Sequence, residues 1–265
     1  VWRGNTTHVI TYSISVGTPP YDLMIYYNIT LVNLTDGHEY NETYLITTLN
    51  HDTAGTYSYS WTTPLITNEK VQIRINITDN ASASADYFSE YFEIDSTPPS
   101  DFSVEAVDDV AFDGYPRAHS VKIRWLAPGD DNQTNTLEGG YYDIRYSTSP
   151  INETTWENIP VDNTQNSGRF NYSAGAIPPG EVDSYVIEPE TGLAPDTLYY
   201  IGIKAYDDAG YSTNISTCSI RTLNYTVWPD EVEPEFKAGN ITNLWEDKYI
   251  ENTEIHLKGN LQVVN

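Results

Sequence analysis

From Thr197 onward, Tyr199, Ile201, Ile203 and Ala205 take every second position, and Leu198, Tyr200, Gly202 and Lys204 alternate with them. A period of two marks a β-strand with one buried face and one mostly wet face. The same alternation predicts six short strands near the N-terminus, over residues 8–15, 24–32, 40–48, 57–61, 71–78 and 87–94. In the fifth of these, Val71, Ile73, Ile75 and Ile77 define the buried face, and Asn76 points outward. A polar turn over 79–84 follows it. Further along, Phe102, Val104 and Ala106 predict one strand, and Val121, Ile123 and Trp125 a second, with Trp125 as a core anchor. No helical period intervenes, so the fold class is all-β.

Turn chemistry divides the chain. Asp95-Ser-Thr-Pro-Pro-Ser100 reads as a semi-rigid linker, because paired prolines cannot join a central ladder. The boundaries expected are 1–97, 98–223 and 224–265. Two sandwich domains of about 100 residues each suit a chain of 265 residues. In the second, Leu193, Pro195, Thr197 and Tyr199 stand at the spacing of a tyrosine corner, in which the hydroxyl bonds back to the preceding turn. That spacing resembles fibronectin type III domains. So do Trp125-Leu-Ala-Pro-Gly-Asp-Asp131 and Tyr142-Asp-Ile-Arg-Tyr-Ser-Thr-Ser-Pro150. Tyr59-Ser-Trp-Thr-Thr-Pro64 and Tyr91-Phe-Glu-Ile-Asp95 look like the immunoglobulin-like domains of bacterial and archaeal surface proteins. The resemblance implies two tandem β-sandwiches, immunoglobulin-like and then fibronectin type III-like. Residues 158–180 depart from it as a long, polar, Gly- and Asn-containing insertion between the middle strands, which leaves strand pairing there open.

The tail changes character. Trp228-Pro-Asp-Glu-Val-Glu-Pro-Glu235 is an acidic, proline-bounded extended arm too short to fold alone. Beyond it, Ile255, Leu257, Leu261 and Val263 alternate as a strand seeking a partner. Two readings stand: the first rung of a β-helix, or a strand donated to a neighbouring subunit. A chain starting at Val1 is expected to be a processed or partial polypeptide.

Charge narrows the partners. Thirteen basic against 38 acidic side chains give −25, distributed as −8 over 1–97, −12 over 98–223 and −5 over 224–265. A uniformly acidic surface repels phosphate backbones, so nucleic acid is not an expected partner. Cations are. No apolar run approaches the roughly 18 residues of a membrane span. The lone Cys218 forbids an intramolecular disulfide and, in phase with Ile220, reads as a buried inert thiol.

The most specific local signal is the acceptor motif Asn-x-Ser/Thr. It occurs at Asn5, Asn28, Asn33, Asn41, Asn76, Asn80, Asn132, Asn152, Asn171, Asn214, Asn224 and Asn240. With 22 asparagines and 49 serines and threonines, chance gives roughly four such motifs. A sugar coat on an exported surface protein is the expectation. Topology supplies a second signal. The B–C and F–G loops of a sandwich share one end, which brings Asp130, Asp131 and Asn132 toward Asp207 and Asp208, with Asp95 in the adjoining linker. Oxygen-rich acidic loops suit Ca²⁺, and solvated hairpin tips are the competing reading. Asp108, Asp109 and Asp113 form a weaker acidic group at the other end.

Catalytic signatures are missing: no nucleophile elbow, no phosphate loop, and five scattered histidines. The expectation is a non-catalytic, glycosylated extracellular structural protein of a surface layer, sheath, filament or adhesin. It would contact copies of itself or other surface proteins through the C-terminal arm and outward tyrosines such as Tyr200 and Tyr206. The alternative is a pair of accessory carbohydrate- or protein-binding modules of a larger secreted enzyme. An intracellular enzyme conflicts with the acceptor motifs.

Overall fold

The structure is a computed structural model that describes residues 1–109 and 114–224. Expectations that fall on Asp113, Asn240 and the tail beyond Asn224 lie outside the described residues. The described residues separate into two units: Val1–Pro98 with Asp207–Tyr211, and Pro99–Tyr206 with residues 212–224.

The first unit is built from β1 (Trp2–Arg3), β2 (Thr7–Ile14), β3 (Tyr21–Val32), β4 (Glu39–His51), β5 (Gly55–Thr62), β6 (Asn68–Asp79), β7 (Ser84–Phe88) and β8 (Phe92–Asp95). Six of these form one sheet, in the order β1-β8-β6-β3-β4 with β7 also on β6, while β2 and β5 pair alone. The odd positions of β3, from Tyr21 to Ile29, face inward. They join Ile10, Trp61, Val71, Ile73 and Ile94 in the core. The single strand expected over 87–94 is two strands. Ser89 breaks it, because its hydroxyl accepts the Ile73 N–H at 3.0 Å and donates to the Glu90 carbonyl at 2.7 Å. A side chain thereby takes a donor that would otherwise serve the ladder.

The second unit contains β9 (Val104–Ala106), β10 (Val121–Leu126), β11 (Tyr141–Ser147), β12 (Ser167–Ser173), β13 (Val182–Ile187), β14 (Leu198–Tyr206) and β15 (Ser216–Arg221). A three-stranded sheet, β13-β10-β9, and a four-stranded sheet, β12-β11-β14-β15, share one core. Val121, Ile123 and Trp125 enter it from one sheet, and Ile144, Tyr146, Ile201 and Ile203 from the other. This is an all-β sandwich. The polar stretch 158–180, where the sequence left pairing open, holds β12, which pairs with β11 in unbroken register from Tyr141↔Ser173 to Ser147↔Ser167. Its inward side chains, Phe170 and Tyr172, are aromatic and pack against the core, so two residues suffice to seat a strand that reads as polar.

The corner of β14 is closed twice. The Ala194 N–H donates to the Tyr199 hydroxyl at 2.8 Å, and that hydroxyl donates to the carbonyl of Gln165 in the loop before β12. The outer face of β14 is drier than alternation implies. Trp156, in a 3₁₀ turn over Trp156–Asn158, lies across Gly202, where an added Cβ would come within 2.9 Å of the indole. Arg145 stacks on the same indole at 4.1 Å and pairs with the buried Asp143 at 2.8 Å, a contact Arg169 shares at 3.0 Å. Such a buried charge is tolerated because both partners are present. Cys218 is half-buried at the edge of the core, and burial pushes its thiol up to about 12.

Replacing Tyr199 by Phe keeps the ring and deletes both hydrogen bonds. Urea unfolding should show a loss of ~1–3 kcal/mol, whereas Tyr200→Phe, half-exposed on the opposite face, should change stability by less than about 0.5 kcal/mol.

Candidate functional site

The acceptor asparagines are set by strand and turn geometry. Asn5, Asn33, Asn41, Asn80, Asn132, Asn152, Asn171, Asn214 and Asn224 are exposed. Asn28 and Asn76 are half-buried on the outer faces of β3 and β6. Asn76 donates to Asp86 at 3.2 Å, and Asn214 donates to Asp101 at 2.8 Å. Asn152 caps its own turn by accepting from the N–H groups of Thr154 and Thr155. Asn41 accepts from the hydroxyl of Thr30, which belongs to the Asn28 motif.

The acidic residues divide between the units. Asp130, Asp131 and Asn132 belong to a loop that folds on itself. Asp131 and Thr134 exchange backbone hydrogen bonds at 3.1 and 3.2 Å, and Asn135 donates to the Asp131 carboxylate at 3.0 Å. Asn132 and Asn135 both take left-handed backbone, φ 57°, a conformation asparagine tolerates better than most residues. Asp95, Asp207 and Asp208 fall in the first unit. Asp208 is exposed, whereas Asp95 and Asp207 are fully buried.

Asp95 ends β8. Its Oδ1 accepts from the Thr97 N–H at 2.8 Å and the Thr67 hydroxyl at 3.1 Å, and its Oδ2 is buried without a hydrogen-bond partner. Asp207 repeats the arrangement: Oδ1 accepts from the Tyr211 N–H at 2.7 Å, and Oδ2 is buried without a partner. Burial, and then the charges of Asp95 and Asp208, push the Asp207 carboxyl up to about 7. A carboxylate oxygen withdrawn from water in this way is satisfied by a proton or by a cation. Among the described residues, no three histidine, cysteine, aspartate or glutamate side chains are grouped to hold a metal ion. Any cation at this pair would complete its shell with neutral oxygens. Asp108 and Asp109 are exposed.

The sequence signal missed Asp183, which lies opposite Trp125 in the ladder of β10 and β13. It is buried, accepts from the Tyr172 hydroxyl at 3.2 Å, and its carboxyl is raised by burial. Alternation along 182–187 contains the signal, since Asp183 shares the inward phase with Tyr185 and Ile187.

No family model and no curated protein matches the sequence. Among solved structures, the chain is similar to the FN1–FN3 domains of chicken CNTN1, with 15% identity and a TM-score of 0.31, covering 84% of this chain and 66% of that one. It is also similar to the fibronectin(III)-like modules of Clostridium thermocellum CbhA, with 10% identity and a TM-score of 0.36, covering 84% and 88%. A third similarity is to a Ca²⁺-stabilized ice-binding adhesin of an Antarctic bacterium, with 14% identity and a TM-score of 0.35, covering 83% and 44%. The solved structures that the chain resembles thus include fibronectin type III-like modules. Among the described residues, no helix is long and apolar enough to cross a membrane.

The raised carboxyl of Asp207 has a definite sign. The folded chain holds this proton more tightly than the unfolded chain, so its contribution is complete below the ordinary aspartate value of about 4 and is lost as pH rises toward 7. In the presence of a chelator, the unfolding midpoint should fall between pH ~4 and ~7. Asp207→Asn should flatten that slope, leaving the share of Asp183.

Proposed function

We propose that the chain is a non-catalytic, glycosylated, extracellular structural module that works by assembly, as part of a surface layer, sheath, filament or adhesin. The observation that carries the reading is the placement of the acceptor asparagines. Of the eleven within the described residues, nine are exposed and two are half-buried on outer strand faces, in both units. An oligosaccharide needs an outward side chain with room around it, and the nine exposed positions meet that requirement in a chain that carries about three times the acceptor motifs chance supplies. A net charge of −25 adds solubility and makes cations the natural small ligands. Calcium is the cation proposed, at the Asp95 and Asp207 oxygens. Partners are copies of the same chain or other surface proteins, met through the C-terminal residues and exposed tyrosines.

Intact-mass measurement on native material tests the reading. The expected result is a mass above that of the polypeptide, which falls on enzymatic or chemical deglycosylation, with modified peptides mapping to the nine exposed positions. A native mass equal to that of the bare chain overturns it. For calcium, millimolar Ca²⁺ should raise the melting temperature at pH 8 and have little effect on Asp207→Asn. An unchanged melting temperature in the parent chain removes calcium from the proposal.

A further inference from the structure

The first unit is left uncovered along one side. Its six-stranded sheet is faced by only two strands, β2 and β5, and the edge of β2 away from β5 has no strand partner among the described residues. Beyond that edge lies the inner face of β6 and β7, where Ala85 and Tyr87 stand opposite Ile77 and Ile75. These are core-facing positions, yet every residue of β7 is exposed, Tyr87 at 60%. The gap between β2 and this face holds two adjoining grooves of about 230 and 180 Å³, both lined by Ile14, Ile77 and Tyr87. An open strand edge beside an apolar groove has the two elements that strand addition uses: unpaired main-chain groups for affinity and pockets for alternate side chains.

We infer that this groove is the acceptor for residues 253–264 of a second copy of the chain, laid along the free edge of β2. The inference rests on the assembly reading above and names its contact. Forty-one residues follow Asn224, ample to reach a neighbouring molecule at about 3.3 Å per residue. Near their end, Ile255, Leu257, Leu261 and Val263 fall at one parity over nine positions, a length that matches the eight residues of β2. Charge separates this segment from the rest of the tail. Residues 224–265 carry −5 in total, whereas 253–264 contain one Glu and one Lys and sum to zero. The uncharged, alternating part is therefore the part suited to burial against an acidic unit. A tail in one copy and a groove in the next make a heterologous contact, which builds a ring where the rotation between copies closes and an open chain of subunits where it does not.

Two full-length variants test this by mixing. Tyr87→Asp with Ala85→Lys blocks the groove at exposed positions. Leu257→Asp with Leu261→Asp disables the tail and leaves the groove intact. By light scattering after size exclusion, the parent chain is expected to form concentration-dependent multimers and each variant alone to run as a monomer. An equimolar mixture should give a 1:1 dimer and nothing larger, because only one productive contact remains. Circular dichroism melts confirm that each variant is folded. If the groove variant fails that check, Tyr87→Ser with Ala85→Ser replaces it. A monomeric parent chain overturns both the inference and the assembly reading, and a melting temperature that then drops in both variants assigns the groove to the chain's own tail. Multimers that persist in both variants overturn the inference and leave assembly standing on another surface.

Discussion

A sheet that is apolar on one face has to be covered, and the two units meet that requirement unequally. In the second unit, three strands face four, and Leu193, Ile201 and Ile203 are fully buried between them. The cover extends to the outer face, where Trp156 lies over Gly202 and carries Arg145 with it. In the first unit, two strands face six. The core is dry around Ile25, Val71 and Ile94, but toward β7 it opens, and Tyr87 is exposed on what should be an inner face. Burial of apolar area is the main favourable term in folding. The unit therefore retains apolar surface that a further strand would bury.

That contrast separates a closed unit from an open one. The second unit is closed by its own side chains, down to the Tyr199 hydroxyl that joins the Ala194 amide to the Gln165 carbonyl. The first unit carries the feature that calls for something outside its own fold, an open strand edge beside a groove, whereas buried carboxylate oxygens without a hydrogen-bond partner occur in both units, at Asp95 and Asp207 in the first and at Asp183 in the second. The acceptor asparagines sit on the outer surfaces of both units and leave the inner face of β7 free of them. The acceptor positions and the groove therefore share no residues.

Much of the fold was legible in the sequence because strands alternate. The odd positions of 71–77 and 199–205 declare an inner face, and the spacing from Leu193 to Tyr199 declares a corner. What escaped did so for local reasons. Within β12, two inward aromatics are set among Asn, Ser and Gly, so its composition resembles a loop. The division of β7 from β8 depends on one hydroxyl, that of Ser89, choosing a backbone amide. The dry patch over Gly202 comes from Trp156, 46 positions earlier in the chain, which no periodicity along β14 reveals. Of the candidate cation ligands, sequence reasoning grouped Asp130, Asp131, Asn132, Asp207 and Asp208 by topology, with Asp95 in the linker, whereas the burial of Asp95 and Asp207 and the exposure of Asp208 are not properties that topology declares. The groove was the least legible feature, because an uncovered face is a property of strand order.

The central claim is that the first unit is completed by a strand from another molecule. Imaging of the assembled native material at a resolution that traces strands tests it most directly. The account predicts a third strand hydrogen-bonded along the free edge of Thr7–Ile14, with side-chain density for Ile255, Leu257, Leu261 and Val263 against Ile77 and Tyr87 of the neighbouring copy. An assembly in which that edge of β2 faces solvent, with Tyr87 still exposed, would contradict it.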